Sequence, residues 1–322
     1  MGNGLLLTIN RNDHLLESLG PGAGIIKDLV RLEQALASSA TEVTFGSTTP
    51  LPREGNVGGT TFYYNPVTHS SVNSVGLANW GFERVKLLVP AIIGLAKRYE
   101  KKVRMSLAAF SPEEFFTMTD ELMVILKQWD GLEWIIIEIN LGCPNTGHVV
   151  MAYSPALVGT IMRGVCARVA GRATVAFKLS PYDKTIATQV HARRDIRHTT
   201  ALCAQGYQGL IELVLCNTYG GYQMLQPDGS PALGVMENVG GLAGKGLQPF
   251  TLENVDYFST DLPDNVWLVG AGGVESGEDI CWMLAAGRGR LTKVQSTSFP
   301  AEYGDKVFAD MYRDIADSAE GA

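Results

Sequence analysis

The strongest constraint on the fold is a regular alternation between short apolar runs rich in β-branched residues and longer amphipathic segments. The strand-like runs lie at 42–46 (EVTFG), 103–109 (VRMSLAA), 134–140 (WIIIEIN), 174–179 (TVAFKL), 210–216 (LIELVLC), 266–270 (VWLVG) and 293–296 (KVQS). Helix-like segments lie at about 25–38, 83–99, 112–129, 155–169, 185–205, 276–286 and 301–317. This order predicts an α/β fold with a parallel sheet.

Seven strand candidates approach the eightfold repeat of a TIM (β/α)8 barrel, whose usual size is about 250 residues. We therefore predict a single barrel domain over residues 1–322, with the eighth strand near the N-terminus. A doubly wound sheet has the same alternation, but a GxGxxG turn normally follows its first strand, and none occurs there. The stretches 47–82 and 217–250 are poor in strands and too long for ordinary connections, so we expect long substrate-site loops or lids.

Composition narrows the possible partners. The chain carries 26 Lys and Arg against 33 Asp and Glu, and its formal net charge of −7 gives no electrostatic footprint for nucleic acid or an anionic membrane. No apolar run reaches the roughly 18 residues of a membrane helix, and the first residues do not resemble a signal peptide. Five cysteines without CxxC spacing and five histidines without HExxH spacing predict neither a disulfide framework nor a metal site. We expect a cytoplasmic protein that binds a small molecule.

Polar residues stand where several strand candidates end, which is where a barrel places its active site. Lys178 ends the fourth candidate among apolar neighbours. Because a buried ammonium is costly without a partner, Lys178 either pairs with a carboxylate such as Glu138 or faces an electron-rich cofactor atom. Gly272 and Gly273 precede a helix candidate, so their backbone N–H groups are suited to binding a phosphate.

Cys143 follows the third strand candidate and lies between Gly142 and Pro144. The other cysteines are expected to be small buried apolar side chains, whereas a thiol on such a loop suits a general base or nucleophile. Asparagine amides offer both a donor and an acceptor, which suits them to recognising a neutral imide or amide ring. The candidates for this task are Asn73, Asn140, Asn145 and Asn217.

The order of these motifs resembles that of the dihydroorotate dehydrogenases, which are FMN-containing TIM barrels, and most closely their soluble homodimeric class 1A branch. The matching motifs are 73–79 (NSVGLAN), 140–145 (NLGCPN), 217–218 (NT), 240–245 (GGLAGK), 270–274 (GAGGV) and 294–295 (VQ). The resemblance extends from about residue 40 to about residue 300. A cysteine rather than a serine at position 143 favours class 1.

The resemblance implies an FMN-dependent oxidoreductase of pyrimidine biosynthesis that acts on a CH–CH bond, with a soluble electron acceptor such as fumarate. Cys143 would remove a proton from carbon 5 of dihydroorotate while a hydride leaves carbon 6 for the flavin. The residues implied in substrate binding are Asn73, Gly76, Leu77, Asn140, Asn145, Asn217 and Phe45. Those implied in FMN binding are Gly22, Ala23, Gly46, Asn140, Lys178, Cys216, Thr218, Gly240, Gly241, Gly272, Gly273, Thr297 and Ser298.

Two departures from the family pattern affect the expected contacts, one with the substrate and one with the phosphate of the cofactor. After the first strand the family carries a lysine, in a pattern like Thr-Lys-Ser-Ser, whereas this sequence has Phe45 within 44–47 (TFGS). Phe45 would remove a positive charge and weaken the binding of an anionic substrate. The phosphate-contacting Gly-Thr of the last strand reads Thr297-Ser298, and the side chain at 297 would either crowd the phosphate or bond to it.

Three functions stay open at this point. The first is the family reaction. The second keeps the flavin and Cys143 but acts on another small cyclic amide or enone in a specialised pathway, as Phe45 would favour. The third is a barrel without flavin that serves as a binding or scaffold protein. The presence of Lys178, Cys143 and the four asparagines argues against this third hypothesis, because a scaffold needs none of them.

Overall fold

A computed structural model of the protein describes residues 7–9, 14–143 and 150–320. The strands, in chain order, are β1 (Leu7–Ile9), β2 (His14–Leu16), β3 (Ser18–Pro21), β4 (Glu42–Thr48), β5 (Phe62–Asn65), β6 (Ser70–Asn73), β7 (Lys102–Leu107), β8 (Ile135–Asn140), β9 (Val175–Lys178), β10 (Ile211–Leu215), β11 (Tyr219–Tyr222), β12 (Gly240–Gly244), β13 (Val266–Ala271) and β14 (Leu291–Ser296). The α-helices are α1 (Leu29–Ala37), α2 (Phe82–Lys86), α3 (Val89–Tyr99), α4 (Pro112–Gln128), α5 (Pro155–Val169), α6 (Ala187–Gln205), α7 (Gln248–Phe258), α8 (Gly277–Ala286), α9 (Ser298–Tyr303) and α10 (Val307–Glu320).

Eight parallel strands form the centre of the molecule in the spatial order β3-β14-β13-β10-β9-β8-β7-β4. The two outermost strands of this order approach each other, and Thr41 N–H, just before β4, donates to the Leu19 carbonyl of β3 at 2.8 Å. The barrel is therefore nearly closed, with helices between its strands. The predicted TIM barrel is confirmed, and its missing strand, β3, lies near the N-terminus as expected.

The pleat of β8 illustrates how these strands divide the molecule into two layers. Ile135, Ile137 and Ile139 are buried in the main apolar core, which the barrel shares with the surrounding helices. Ile136 belongs to a separate apolar cluster inside the barrel, because successive side chains of a strand point to opposite faces. Asn140, the last residue of β8, lies on the same inner face and lines the cavity at that end of the barrel.

The two stretches that we predicted as loops form a second, antiparallel sheet in the order β11-β12-β6-β5. β5 and β6 come from the first stretch, β11 and β12 from the second, and Gly241 of β12 lies opposite Asn73 of β6. Both stretches are therefore long connections that line the cavity, as expected, and each also carries two short strands that the sequence pattern does not indicate. These strands have only four or five residues, and β6 pairs with a strand about 170 residues away in the chain, so no local pattern marks them. Helix α7 was also missing from the predicted helices.

A cluster of buried charges fills the barrel near the N-terminal ends of its strands; we call Glu42, Arg104, Glu138, Glu212 and Lys293 the basal charge cluster. Arg104 Nη2 lies 2.6 Å from both Glu42 Oε1 and Glu212 Oε2, and Lys293 Nζ lies 2.8 Å from Glu212 Oε1. Burial opposes ionisation, but the attraction of Arg104 and Lys293 lowers the pKa of Glu42 to about 2. The cluster is thus a set of charges that compensate one another.

Among the described helices, none combines the length and the apolar character that a membrane crossing demands. The described part of the chain also holds no group of three His, Cys, Asp or Glu side chains placed to ligate a metal ion.

Candidate active site

A cavity lies at the C-terminal ends of the barrel strands, beneath the small sheet. Most of the residues expected to bind substrate or cofactor line it, although they come from separate segments of the chain. These are Ala23, Asn73, Gly76, Leu77, Asn140, Cys143, Lys178, Cys216, Asn217, Thr218, Gly272, Gly273, Thr297 and Ser298. The barrel brings them together because its parallel strands all end at the same rim.

The amide of Asn140 is fixed by a chain of hydrogen bonds across the ends of four strands, β4, β7, β8 and β10. Its Nδ2 donates to Ser47 Oγ at 2.8 Å, and Ser47 Oγ lies 2.9 Å from Ser106 Oγ. Its Oδ1 accepts from Asn217 Nδ2 at 2.9 Å. Since both ends of the amide have partners, its orientation is defined before any ligand enters.

Lys178 lies at the floor of the cavity with only 6% of its surface exposed. Burial lowers the pKa of its ammonium, while Glu138 and Cys143 partly oppose the shift. In the described part of the chain Lys178 forms no direct ion pair with Glu138, whose carboxylate instead lies 3.7 Å from Arg104 Nε. The ion-pair interpretation of Lys178 is therefore not supported, and its ammonium is available to a ligand.

Two cysteines line the cavity, and their surroundings differ. Cys216 is buried, and burial raises the pKa of its thiol to about 12, which keeps it protonated. Cys143 is half-buried, three residues after the end of β8, and attraction to it opposes the effect of burial on the pKa of both Lys178 and Lys27. A thiol that faces two cations is the better candidate for losing its proton.

The far end of the cavity offers an anion site built from backbone and hydroxyl groups. Gly272 and Gly273 have positive φ values of 112° and 78°, a conformation that glycine adopts without strain. Helix α8 begins four residues after Gly273, and Ser276 and Asp279 form a capping box at its start. Ser298, the first residue of α9, accepts a hydrogen bond from Ser71 Oγ of β6 at 2.8 Å, which ties the segment after the last barrel strand to the small sheet. These groups suit a phosphate.

The loop after β6 reaches the cavity from the small sheet. Gly76 has φ 69°, and a Cβ there would lie only 2.6 Å from Asn56 Oδ1, so this turn requires glycine. Arg53 Nε donates to the Gly76 carbonyl at 3.1 Å. The next residue, Leu77, also has a positive φ of 58°. The loop is therefore held in a defined shape against the site.

Phe45 does not reach the cavity, and its expected contact with substrate is corrected. Its side chain is 1% exposed within the core between barrel and helices. The pleat of β4 is the reason: Glu42 and Thr44 face the barrel interior, and Phe45 therefore faces outward. The next inward position is Gly46, so the strand end carries no basic side chain.

Four glycines expected to contact the cofactor are not among the residues that line the cavity, and each lies in close packing with a neighbouring segment. The N–H and carbonyl of Gly46 bond to the loop after β3 at 2.8 Å each. A Cβ on Gly240 would lie 2.4 Å from the Asn73 carbonyl oxygen. Gly241 lies opposite Asn73 in the pairing of β12 with β6. The residues of β12 that line the cavity are instead Ala243 and Gly244. Gly22 leaves space for Thr297, whose Oγ1 would be 2.5 Å from a Cβ there. Asn145 lies outside the described residues.

The cavity is also lined by four residues that the sequence patterns did not indicate, namely Lys27, Ser47, Phe62 and Glu275. Glu275 Oε2 lies 2.8 Å from His69 Nδ1, so this carboxylate has a partner at the rim. A signal for Lys27 was present: a lysine follows closely after the glycine-rich end of the first barrel strand, within 22–27 (GAGIIK). Ser47 lay directly beside predicted residues and was overlooked for its neutral side chain.

A barrel with a buried lysine, fixed amides, a thiol and a glycine-rich anion site defines an oxidoreductase whose cofactor does the redox chemistry. The sequence model of the dihydroorotate dehydrogenase family matches residues 7–317, and the chain belongs to that family. Its members are flavin-dependent oxidoreductases that act on a CH–CH bond, so the predicted family and enzyme class are confirmed.

Named relatives cover most of the chain. It is 28% identical over 310 residues to "Dihydroorotate dehydrogenase (fumarate)" of Trypanosoma cruzi, covering 94% of this chain and 90% of the relative. It is 28% identical over 279 residues to "Dihydroorotate dehydrogenase B (NAD(+)), catalytic subunit" of Methanopyrus kandleri, covering 85% and 79%. It is 29% identical over 270 residues to "Dihydroorotate dehydrogenase A (fumarate)" of Lacticaseibacillus paracasei, covering 82% of each.

The solved structure of DHODH from Eimeria tenella in complex with ferulenol has the same fold. It superposes with a TM-score of 0.75 at 15% sequence identity, covering 98% of this chain and 85% of that structure. This likeness supports the barrel architecture.

Proposed function

We propose that the protein oxidises dihydroorotate with FMN as its cofactor and Cys143 as the base. The observation that carries the proposal is one cavity that holds Cys143, Lys178 and Asn140 together with the Gly272–Gly273 turn. The first three groups suit proton removal and ring recognition, while the turn suits a phosphate. The relatives named dihydroorotate dehydrogenase support the choice of substrate.

The donor set of the cavity fits FMN. Gly272 and Gly273 would hold the phosphate through backbone N–H groups, with Thr297 and Ser298 beside them. Lys178 would face the isoalloxazine ring, since no carboxylate of the described residues forms an ion pair with its buried ammonium. FMN, when bound, would accept the hydride that leaves carbon 6 of the substrate.

Cys143 would remove the proton from carbon 5 of the ring. It stands at the strand end next to Asn140 and faces two lysine ammonium groups, which favour its thiolate. Cys216 does not compete for this role because its pKa of about 12 keeps it protonated. A base whose pKa lies near the working pH is the most effective.

The ring of the substrate would be held by amide groups. Asn217 and Asn140 form one fixed pair, and Asn73 approaches from β6, where its Nδ2 donates to the Gly241 carbonyl at 3.4 Å. Backbone N–H groups at Gly76 and Leu77 would lie near the carboxylate of the substrate. The contribution of Asn145 stays a prediction.

We further propose fumarate as the electron acceptor, because two of the relatives described above carry it in their names. A class 1A homodimer with a single domain in the cytoplasm would accompany this choice. The test is to reduce the enzyme without oxygen and mix it with fumarate or with NAD+. We expect that fumarate reoxidises the enzyme and that NAD+ does not. The opposite result would assign the protein to the NAD+-dependent type, to which the Methanopyrus kandleri relative belongs.

A second substrate class is worth testing. The family carries a lysine at the end of this strand, whereas β4 carries no basic side chain near Gly46, so an anionic substrate would not be attracted by a cation there. A related cyclic amide or enone without a carboxylate would not need it. The same cavity and the same proton acceptor would serve this reaction.

The deciding experiment is a visible spectrum of the purified protein, taken without oxygen before and after the addition of dihydroorotate. A flavin band that bleaches is the expected result. A band that persists would keep the cofactor and exclude dihydroorotate, whereas the absence of any flavin after reconstitution with FMN would overturn the proposal. Cys143→Ser is the matched variant: it should bind FMN like the wild type and bleach far more slowly.

A further inference from the structure

The loop that follows β3 is fastened onto the end of β4 by two backbone hydrogen bonds. Gly24 N–H donates to the Gly46 carbonyl, and Gly46 N–H donates to the Ile26 carbonyl, both at 2.8 Å. A Cβ on Gly46 would lie 2.6 Å from the Ser106 carbonyl oxygen, so no other residue fits there without a shift. Ile26 is fully buried and anchors the loop in the core.

Lys27 follows this anchor directly and is fixed on its other side by a helix cap. The side chain of Asp28 accepts a hydrogen bond from Arg31 N–H at 2.8 Å, as the N-cap of α1. Lys27 therefore stands between a buried apolar residue and a capped helix start. Its side chain lines the cavity, in which Cys143 and Lys178 also lie.

The charges around Lys27 come from several elements. Lys178 on β9 and Glu275 before α8 line the same cavity, and among the described lining residues Glu275 is the one carboxylate. Glu275 is engaged by His69 at 2.8 Å, and Asp28 by the start of α1. The protonated thiol of Cys216 adds no charge.

Among the described residues, Cys143 is the further group that bears on Lys27, because both side chains line one cavity. Burial lowers the pKa of the Lys27 ammonium, and attraction to Cys143 opposes that shift. By reciprocity, an ammonium that is favoured by the thiolate also favours the thiolate. Lys178 contributes in the same direction from the floor of the cavity.

We propose that Lys27 is a positioning residue for Cys143: its ammonium, entering from the β3–α1 loop, stabilises the thiolate and sets the pH above which Cys143 can accept a proton. This inference rests on the proposed function only for the use of Cys143 as a base. The charge relation between the two side chains can be measured without any substrate.

The test is the rate at which iodoacetamide alkylates Cys143 in the FMN-loaded protein between pH 5 and pH 10, followed by mass spectrometry of the Cys143 peptide. Lys27→Met and Lys27→Gln remove the charge and should lower the rate at pH 7 about three- to tenfold, because less thiolate is present. The midpoint of the pH profile should move upward. Lys27→Arg keeps the charge and should stay within about twofold of the wild type.

Lys127→Met, on the exposed last turn of α4, is the matched control and should leave the profile unchanged. An unchanged profile in both neutral variants would overturn the proposal, as would an equal shift in Lys27→Arg, which would indicate shape rather than charge. If dihydroorotate fails to reduce the wild-type flavin, the proposed function fails while the alkylation result still decides the role of Lys27. If it succeeds, the acidic limb of kcat/KM should shift upward in the same variants.

Discussion

The two ends of the barrel interior are both rich in buried polar groups, yet they differ in what those groups face. In the basal charge cluster, Arg104 contacts Glu42 and Glu212 at 2.6 Å, and no part of Arg104 is exposed. At the upper end, Lys178 and Asn140 face a cavity. Buried charge by itself therefore does not identify an active site; access to a ligand does.

The pKa shifts follow the same division. In the basal charge cluster, attraction between opposite charges lowers the pKa of Glu42 to about 2 despite its burial. At the upper end, burial lowers the pKa of Lys178 because nearby negative charge compensates it only in part. An anionic or electron-rich ligand would raise the pKa of Lys178 again. The charge at the upper end is therefore compensated when a ligand binds, whereas the charges at the lower end compensate one another as soon as the chain folds.

The largest effect is expected from Cys143→Ser at the upper end. Loss of a positioned base should lower kcat by about 10²- to 10⁴-fold, since a serine hydroxyl does not ionise near neutral pH. Stopped-flow measurement of flavin reduction checks this, with thermal unfolding as the control. A variant that loses its flavin or its stability instead would show that Cys143 belongs to the structure rather than to the reaction.

Arg104→Met tests the lower end. Removing the cation leaves Glu42, Glu138 and Glu212 facing one another, and the free energy of unfolding should fall by about 3–5 kcal/mol. Urea unfolding measures this, while KM of the folded protein should stay within about twofold. Arg313→Met, at an exposed pair with Asp310, should change the unfolding free energy by less than about 1 kcal/mol. Equal losses of unfolding free energy in Arg104→Met and Arg313→Met would contradict a structural role for the basal charge cluster.

The pH dependence of stability should also originate at the lower end. The folded state lowers the pKa of Glu42 from its usual value near 4.5 to about 2, so its stabilisation is complete above pH 4.5 and is lost as the pH falls toward 2. Glu212 shifts in the same direction. Glu42→Gln should therefore flatten the unfolding free energy over this range. The exposed Glu113→Gln is the control, and it should follow the wild-type curve.

The smallest effect is expected from Ser47→Ala, which removes the oxygen that accepts from Asn140 Nδ2. The amide would keep its bond to Asn217 but lose one constraint, at a cost of about 1 kcal/mol. KM should rise several-fold while kcat changes less. Steady-state kinetics beside the exposed Ser39→Ala test this; a KM equal to that of the wild type would mean that the Asn217 contact alone orients Asn140.

The barrel fold and the main candidate site residues could be predicted from the amino-acid sequence. Seven of the barrel strands and most of the helices around them have a hydrophobic pattern that can be read inside their own segments. Because parallel strands end at one rim, Asn140 and Lys178 could be placed in a common site from their positions at strand ends, and Cys143 and Asn217 from theirs just beyond. The local pattern and the fold rule were sufficient for these residues.

The small sheet, the orientation of Phe45 and the position of Lys27 depend on contacts between distant segments of the chain. The small sheet depends on Gly241 of β12 meeting Asn73 of β6, a contact between distant segments that no window of sequence contains. Phe45 lies on the outer face because β4 begins with Glu42 inward, and a shift of one residue would have reversed it. Lys27 lines the same cavity as Cys143 because its loop is fastened to Gly46. In each case the decisive contact joins groups far apart in the chain, so its energy exists only once the fold has formed.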